Sequence, residues 1–306
     1  MTTLLDWLLR KYPDTPKKRA KEWILAGRVR VNGVVIRRPQ EVLPDPGADL
    51  QLLDRHAQTL ECGPTGLPIH PRVTLLHLDA ALAVVNKAPS LLSVPAENYE
   101  LSALTILTDF LAGKIRAVRI AHNLPPAYRN LQALPVHRLD QYTSGVFCMA
   151  MNPVARAKLI DQLQAHTMQR QYVAFVEGRP SSPTGTWRNW LKLSDDQLRQ
   201  LIVPADTTDA LEAITHYEVI AKYAGVTKLR LRLETGRRHQ IRVQAAHAGL
   251  PLVGDRVYNP TGHVELDRQA LHAETLSLEH PDTGTQMRFA APLPKDLQQL
   301  EAGLRR

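Results

Sequence analysis

The segment VHRLDQYTSGVFCMAM, residues 136–151, sets an arginine, an aspartate, a threonine and a serine in one polar turn directly before an apolar run. A strand starting at such a turn would hold a carboxylate at its rigid edge, the placement that nucleophilic or acid–base chemistry needs. Asp140 is that candidate. Read alone, an aspartate ahead of Thr-Ser-Gly more often caps a turn. A second polar group, Arg237, Arg238 and Arg242, lies on a predicted helix and reads as a solvated or phosphate-facing side. A third pair, His272 and Glu274, imitates the His-x-Glu of zinc nucleobase deaminases, but the partner Pro-Cys-x-x-Cys is absent and no metal is expected.

The elements that must position these residues are mostly strands. GVFCMAM, RQYVAFVEG, ITHYEVIAKY and TKLRLRLE carry strand signals, and in the last Leu229, Leu231 and Leu233 alternate with Arg230 and Arg232. VTLLHLDAALAVVNK predicts a hairpin with Asp79 and Ala80 near its turn. One helix is MNPVARAKLIDQLQAH, capped by Asn152 with Pro153 in its first turn; another runs from about Arg237 to Ala248 and is closed by Gly249. Many strands, few helices and no regular βα alternation predict an α+β fold with a mixed, mainly antiparallel sheet.

At 306 residues the chain is long enough for two domains. Residues 1–55 read as a small unit of two helices and a sheet, 56–72 as a Gly- and Pro-rich linker, and 73–306 as the larger domain. In the first unit Thr15 is the expected cap of a helix with Pro16 in its first turn, Gly27 ends it, and Asn32-Gly33 turns a hairpin. Ten Lys or Arg residues stand between Arg10 and Arg38 against Asp14 and Glu22, so half or more of the net charge of +8 is concentrated there. Cys62 and Cys148 are too few for a disulfide scaffold and lack metal-site spacing. No apolar run approaches the ~20 residues that span a bilayer. The N-terminus lacks the pattern of a secretory signal, so a cytoplasmic address is expected.

Residues 27–52, GRVRVNGVVIRRPQEVLPDPGADLQL, resemble the alpha-L RNA-binding domain, although the family's usual Ser-Arg at the second helix start is replaced by TPKKR. The resemblance implies an RNA-binding face carried by Lys17, Lys18, Arg19, Lys21, Arg28 and Arg30. The alternative is a basic helix-hairpin with no RNA role.

The larger domain resembles the RluA-type pseudouridine synthases. HRLDQYTSG, residues 137–145, matches their HRLDxxTSG signature without a mismatch, and His137 separates this branch from the RsuA type, which usually has Gly there. AVVNKAPSLLSVP resembles the first family block, but the usual Lys-Pro-x-Gly is here Lys87-Ala88-Pro89-Ser90. RQYVAFVEG resembles KxYxAxVxG with Arg170 in place of the Lys. LETGRRHQIRVQAAHAGLPLVGDRVY resembles TGRxHQIR followed by a GDxxY turn, and LHAETLSLEHPDTG the closing hairpin.

The resemblance implies that Asp140 is the catalytic carboxylate, that Tyr172 stacks on the target base and that Arg242 is the ion-pair partner of Asp140. It also implies that His137, Arg138, Thr143, Arg237, His239, Gln240 and Ile241 face the substrate, with Arg138 filling the space a flipped base leaves. The expected substrate is structured RNA, ribosomal first and transfer RNA second, with no cofactor, metal or membrane and a monomeric enzyme. Two rival readings are a non-catalytic RNA-binding protein that retains the synthase scaffold and a metal-dependent nucleobase deaminase.

Overall fold

The computed structural model describes residues 2–25, 27–32, 34–43, 49–52, 60, 62–96, 100–115, 128, 131–262, 264 and 266–305. It opens with helices α1 (Leu4–Lys11) and α2 (Lys17–Leu25), followed by strands β1 (Val29–Val31), β2 (Val34–Val35) and β3 (Leu50–Leu52) in the antiparallel order β2-β1-β3. Thr3 and Asp6 cap α1 reciprocally. Gly27, at φ +73°, closes α2: its N–H donates to Ile24 O and that of Arg28 to Trp23 O. α2 starts one residue later than expected, because the Pro16 carbonyl accepts the first helical bond, from Ala20. Asn32 takes φ 49° in the turn between β1 and β2, as its place in an Asn-Gly hairpin requires. Val29 and Val31 are buried with Leu4, Leu8, Ile24 and Leu50 in an apolar cluster of this unit's own.

The second sheet has twelve strands. They are β4 (Leu67–His70), β5 (Val73–Leu78), β6 (Leu82–Lys87), β7 (Leu134–Pro135), β8 (Ser144–Ala150), β9 (Gln169–Glu177), β10 (Thr184–Leu193), β11 (Gln200–Val203), β12 (Leu211–Lys222), β13 (Val226–Leu233), β14 (Leu271–Glu279) and β15 (Gln286–Ala290). The order is β11-β10-β12-β13-β9-β14-β8-β6-β5-β4, with β7 on β8 and β15 on β14. The β8–β14 pair is parallel and the others are antiparallel, so the fold is α+β with a mixed, mainly antiparallel sheet.

Helices α3 (Ala103–Leu111) and α5 (Gln240–His247) share a cluster with Leu75, Val85, Phe147, Leu229 and Leu231, and α4 (Pro153–Gln164) packs with Val84, Val146, Cys148 and Leu276. Helix α6 (Lys295–Leu304) adds Leu297 to a third cluster beside Phe175. All seven residues of β8 are buried, which explains its continuous apolar run: helices cover both faces, and alternation would put polar groups in a core.

Two further expectations are corrected. Residues 67–70, assigned to a linker, are the edge strand β4; Ile69 is buried and Pro68 sits where a missing N–H is tolerated. Leu60, Cys62 and Leu67 pack on the main core as well, while 53–59 lie outside the described residues. α5 begins at Gln240 rather than near Arg237, because His239 takes the left-handed conformation, φ 53°, and Arg237 and Arg238 lie in the loop before it. β10 and β11 occupy much of 187–209, a stretch given no element from sequence. No helix among the described residues is long and apolar enough to cross a membrane.

Candidate active site

Asp140 sits in the loop between β7 and β8, and its neighbours Leu139, Gln141, Tyr142 and Thr143 are tied down. Ser93 Oγ donates to Leu139 O at 2.9 Å and accepts from Leu139 N at 3.0 Å. Lys87 Nζ donates to Gln141 O at 2.9 Å and to the carbonyls of Ala88 and Leu91. Arg268, buried and paired with Asp296, donates to Tyr142 O at 3.1 Å. Thr143 N donates to Asp140 O at 3.0 Å, closing the turn. Burial pushes the Lys87 ammonium down to about 7, although only the charged amine has three N–H donors for its three carbonyls.

The Thr-Ser-Gly that follows carries the parallel β8–β14 contact. Gly145 faces Ala273 at φ +118°, and a Cβ there would collide with the Ala273 carbonyl. Ser144 Oγ pairs with His272 Nδ1 at 3.0 Å, and His272 Nε2 meets Ala291 O at 3.1 Å. Glu274 accepts from Gln171 at 2.9 Å. Both members of the His-x-Glu pair are therefore engaged within the sheet, and the deaminase reading loses its residues.

Arg242 reaches the loop from α5. Its Nη1 lies 3.4 Å from Asp140 Oδ2, while Nε and Nη2 grip Asp255 Oδ2 and Oδ1 at 2.7 and 2.8 Å. Asp255 is fully buried and its Oδ1 also accepts from Val257 N and Tyr258 N. The Tyr258 ring lies 5.2 Å from the guanidinium carbon and its hydroxyl meets His239 Nδ1 at 3.1 Å. Burial opposes charge on Arg242, but the bonds to Asp255 outweigh it and the pKa is raised.

Asp140, Arg242 and His239 line one cavity of about 600 Å³, together with Tyr172 and Arg170 of β9 and the end of α4. All ten residues expected at catalysis or substrate, from His137 to Arg242, are among its lining. They contribute unequally. Asp140 keeps 20% of its side chain exposed there. Tyr172 is 6% exposed, and burial raises its pKa, so the phenol stays protonated. Arg138 and Arg237 are exposed at the wall.

Gln240 and His137 serve mainly to build the wall. The Gln240 amide is fully used, donating to Ile214 O and Thr215 Oγ1 and accepting from Thr235 Oγ1 and Arg237 N. His137 Nε2 accepts from Cys148 N at 3.2 Å, and burial lowers its pKa to about 3, so the ring is neutral. Thr143 Oγ1 is buried against Gln269. Burial likewise lowers His239 to about 4. Sequence reasoning missed Asp255, Arg268, Lys87 and Ser93 as residues that hold the site. The GDRVY turn and the Asn-Lys of the first block were visible strings with no partner to attach them to.

In the N-terminal unit, Lys17, Lys18, Arg19 and Lys21 are exposed on α2, and Arg28 and Arg30 are half-buried. Arg19 and Arg28 lie 5.7 and 5.4 Å from the Trp23 ring centroid.

Away from the cavity, His77, Asp79 and His280 form a cluster of potential metal-ligand type. Both rings donate Nε2–H to Asp79 Oδ2, at 2.7 and 2.8 Å. His280 Nδ1 accepts from Asp282 N and Thr283 N, which fixes the proton on Nε2 and leaves that nitrogen no lone pair for an ion. The cluster is a hydrogen-bonded joint between the β5–β6 turn and the β14–β15 hairpin.

A sequence model described as RNA pseudouridylate synthase matches residues 81–247, and one described as S4 domain matches residues 2–49. The Uncharacterized RNA pseudouridine synthase YlyB of Bacillus subtilis is 31% identical over 295 residues, 96% of this chain and 91% of its own. Ribosomal large subunit pseudouridine synthase D of Yersinia pestis is 33% identical over 308 residues, covering 96% of this chain and 88% of its own. Among solved structures, Human RNA Pseudouridylate Synthase Domain Containing 4 superposes with a TM-score of 0.59 at 19% identity, over 76% of this chain and 92% of that one. The chain belongs to the RNA pseudouridine synthase family and carries an S4 domain at its N-terminus.

Proposed function

We propose that this enzyme converts a uridine of large-subunit ribosomal RNA to pseudouridine in the cytoplasm, with Asp140 acting on the ribose of a nucleotide turned out of its stack. The observation that carries the reading is the convergence of Asp140, Tyr172 and Arg242 on one cavity of about 600 Å³. The large-subunit target rests on relatives of that printed name, aligned over 96% of the chain.

The reaction breaks the bond from ribose C1′ to N1 and makes one from C1′ to C5, with no change of oxidation state. It therefore calls for no redox group, only a charge at the sugar and a place for the base to turn. Asp140 either attacks C1′ or removes a sugar proton. Arg242, locked by Asp255, pairs with that carboxylate at 3.4 Å and aims it. Tyr172 lies against the base as a neutral phenol, and Arg138 occupies the position the base leaves. We take the enzyme to act as a monomer. The exposed lysines and arginine of α2 add affinity by neutralising phosphates.

The test is a map of pseudouridines in ribosomal and transfer RNA from cells with and without this protein. Loss at a large-subunit uridine, restored by the wild-type chain and not by Asp140→Asn, is expected. Loss confined to transfer RNA would move the target. No loss at all would overturn the reading in favour of a non-catalytic RNA-binding protein.

A further inference from the structure

Four arginines line the cavity, and their counter-charges are unevenly shared. Arg242 has Asp255 and Asp140, and Arg138 and Arg237 are exposed to water. Arg170 is only 8% exposed and, among the described residues, meets no carboxylate, and its Nε finds no hydrogen-bond partner among them. The other acid on the wall, Glu234, turns its carboxylate to His216 at 2.6 Å. A buried guanidinium without a counter-ion is a costly arrangement, and here the cavity is the side from which an anion can reach it.

The sequence around Arg170 is built to hold it. Its Nη2 donates to the carbonyls of Glu234 and Thr235 at 3.3 and 3.2 Å, which fixes the plane of the guanidinium. A Cβ on Gly236 would collide with Nη1, so the glycine of the Thr-Gly-Arg loop makes room for this side chain. Burial lowers the Arg170 pKa, yet a guanidinium stays charged under ordinary conditions. Arg170 and Tyr172 are two apart on β9 and share the face that lines the cavity, about 7 Å from each other along the strand. That separation is on the scale of one nucleotide.

We propose that Arg170 binds a backbone phosphodiester of the RNA next to the uridine whose base lies against Tyr172. The inference rests on the function proposed above. It assigns the anion that this charge lacks to the one chemical group that every nucleotide of the substrate carries. The strand that presents the base-contacting phenol would then also set the register of the backbone, so that the ribose arrives at Asp140.

The test measures affinity for a short oligouridylate against salt concentration, in the full chain carrying Asp140→Asn so that no turnover intervenes. Adding Arg170→Gln should weaken binding about tenfold at low salt, the size of one charge-assisted contact, and flatten the slope of log affinity against log salt by about 0.7, the value for one single-strand phosphate. Arg170→Lys, which keeps the charge, should retain the slope at lower affinity. An Arg170→Gln protein with unchanged slope and affinity overturns the proposal. So does an Arg170→Lys protein that loses the slope as fully as Arg170→Gln, since the side chain would then be acting only as part of the wall. Slopes that change as expected, beside a wild-type chain that forms no pseudouridine, would support the phosphate contact and reject the catalytic reading alone.

Discussion

Arg242 directs its two shortest contacts to Asp255, at 2.7 and 2.8 Å, and only a 3.4 Å contact to Asp140. The buried carboxylate behaves as an anchor that fixes the guanidinium in place, and the carboxylate in the cavity receives what is left of its charge. The division leaves Asp140 free to reach a sugar, as the proposed function requires. A short bidentate pair with Asp140 would tie up both of its oxygens.

Asp255→Asn is the direct check on that anchor. An asparagine offers one oxygen, while the position must accept from the guanidinium and from the amides of Val257 and Tyr258. Steady-state kinetics on RNA should show kcat lower by ten- to a hundredfold with KM nearly unchanged, the effect expected of a misplaced catalytic group. Stability should fall by about 3 kcal/mol, because a buried charge loses its partner. Wild-type kcat in this variant would show that Arg242 needs no anchor.

Ser90 stands at φ 60° where the resembling families place glycine. A left-handed serine costs about 1 kcal/mol, partly offset by the greater freedom of glycine in the unfolded chain. Ser90→Gly should therefore raise the thermal midpoint by about 1–2 °C, with activity unchanged. The bond from Arg72 to the Ser90 carbonyl does not depend on the side chain and should persist. A lower midpoint would mean that the hydroxyl makes a stabilising contact.

His137 links the site to acid stability. Its folded pKa of about 3 lies below the ordinary 6.5, so the fold favours the neutral ring. Between those values the unfolded chain binds the extra proton, and stability present above about pH 6.5 is lost as the pH falls towards 3. His239, lowered to about 4, acts in the same direction over a narrower window. His137→Asn should be less stable than wild type at neutral pH, with the gap closing on acidification, as urea midpoints at stepped pH would show. A gap independent of pH would contradict the assignment of a neutral ring.

Much of this architecture was legible in the sequence, for local reasons. Asp140 lies in an unbroken nine-residue string, and β8, β9, β13 and α4 have runs or alternations long enough to read. What could not be read depends on distant partners or on short elements. Ser93 and Leu139 are 46 positions apart, Lys87 and Gln141 are 54, and Arg268 and Tyr142 are 126, so nothing local signals those bonds. The strand β4 has four residues and a proline, too few for alternation to show. The start of α5 is set by a single left-handed histidine and by the bond from Arg237 N to the Gln240 side chain, a tertiary choice that helix propensity does not encode.

The function proposed above puts the isomerisation on the Asp140 carboxylate and the RNA affinity on other groups. A single-turnover assay of the purified chain on its mapped RNA, run beside a binding measurement on the same samples, tests it most directly. Asp140→Asn should form no detectable pseudouridine while its RNA affinity stays within a few-fold of wild type, since phosphate contacts carry most of the affinity. Pseudouridine formed by that variant at a rate near wild type would contradict the account.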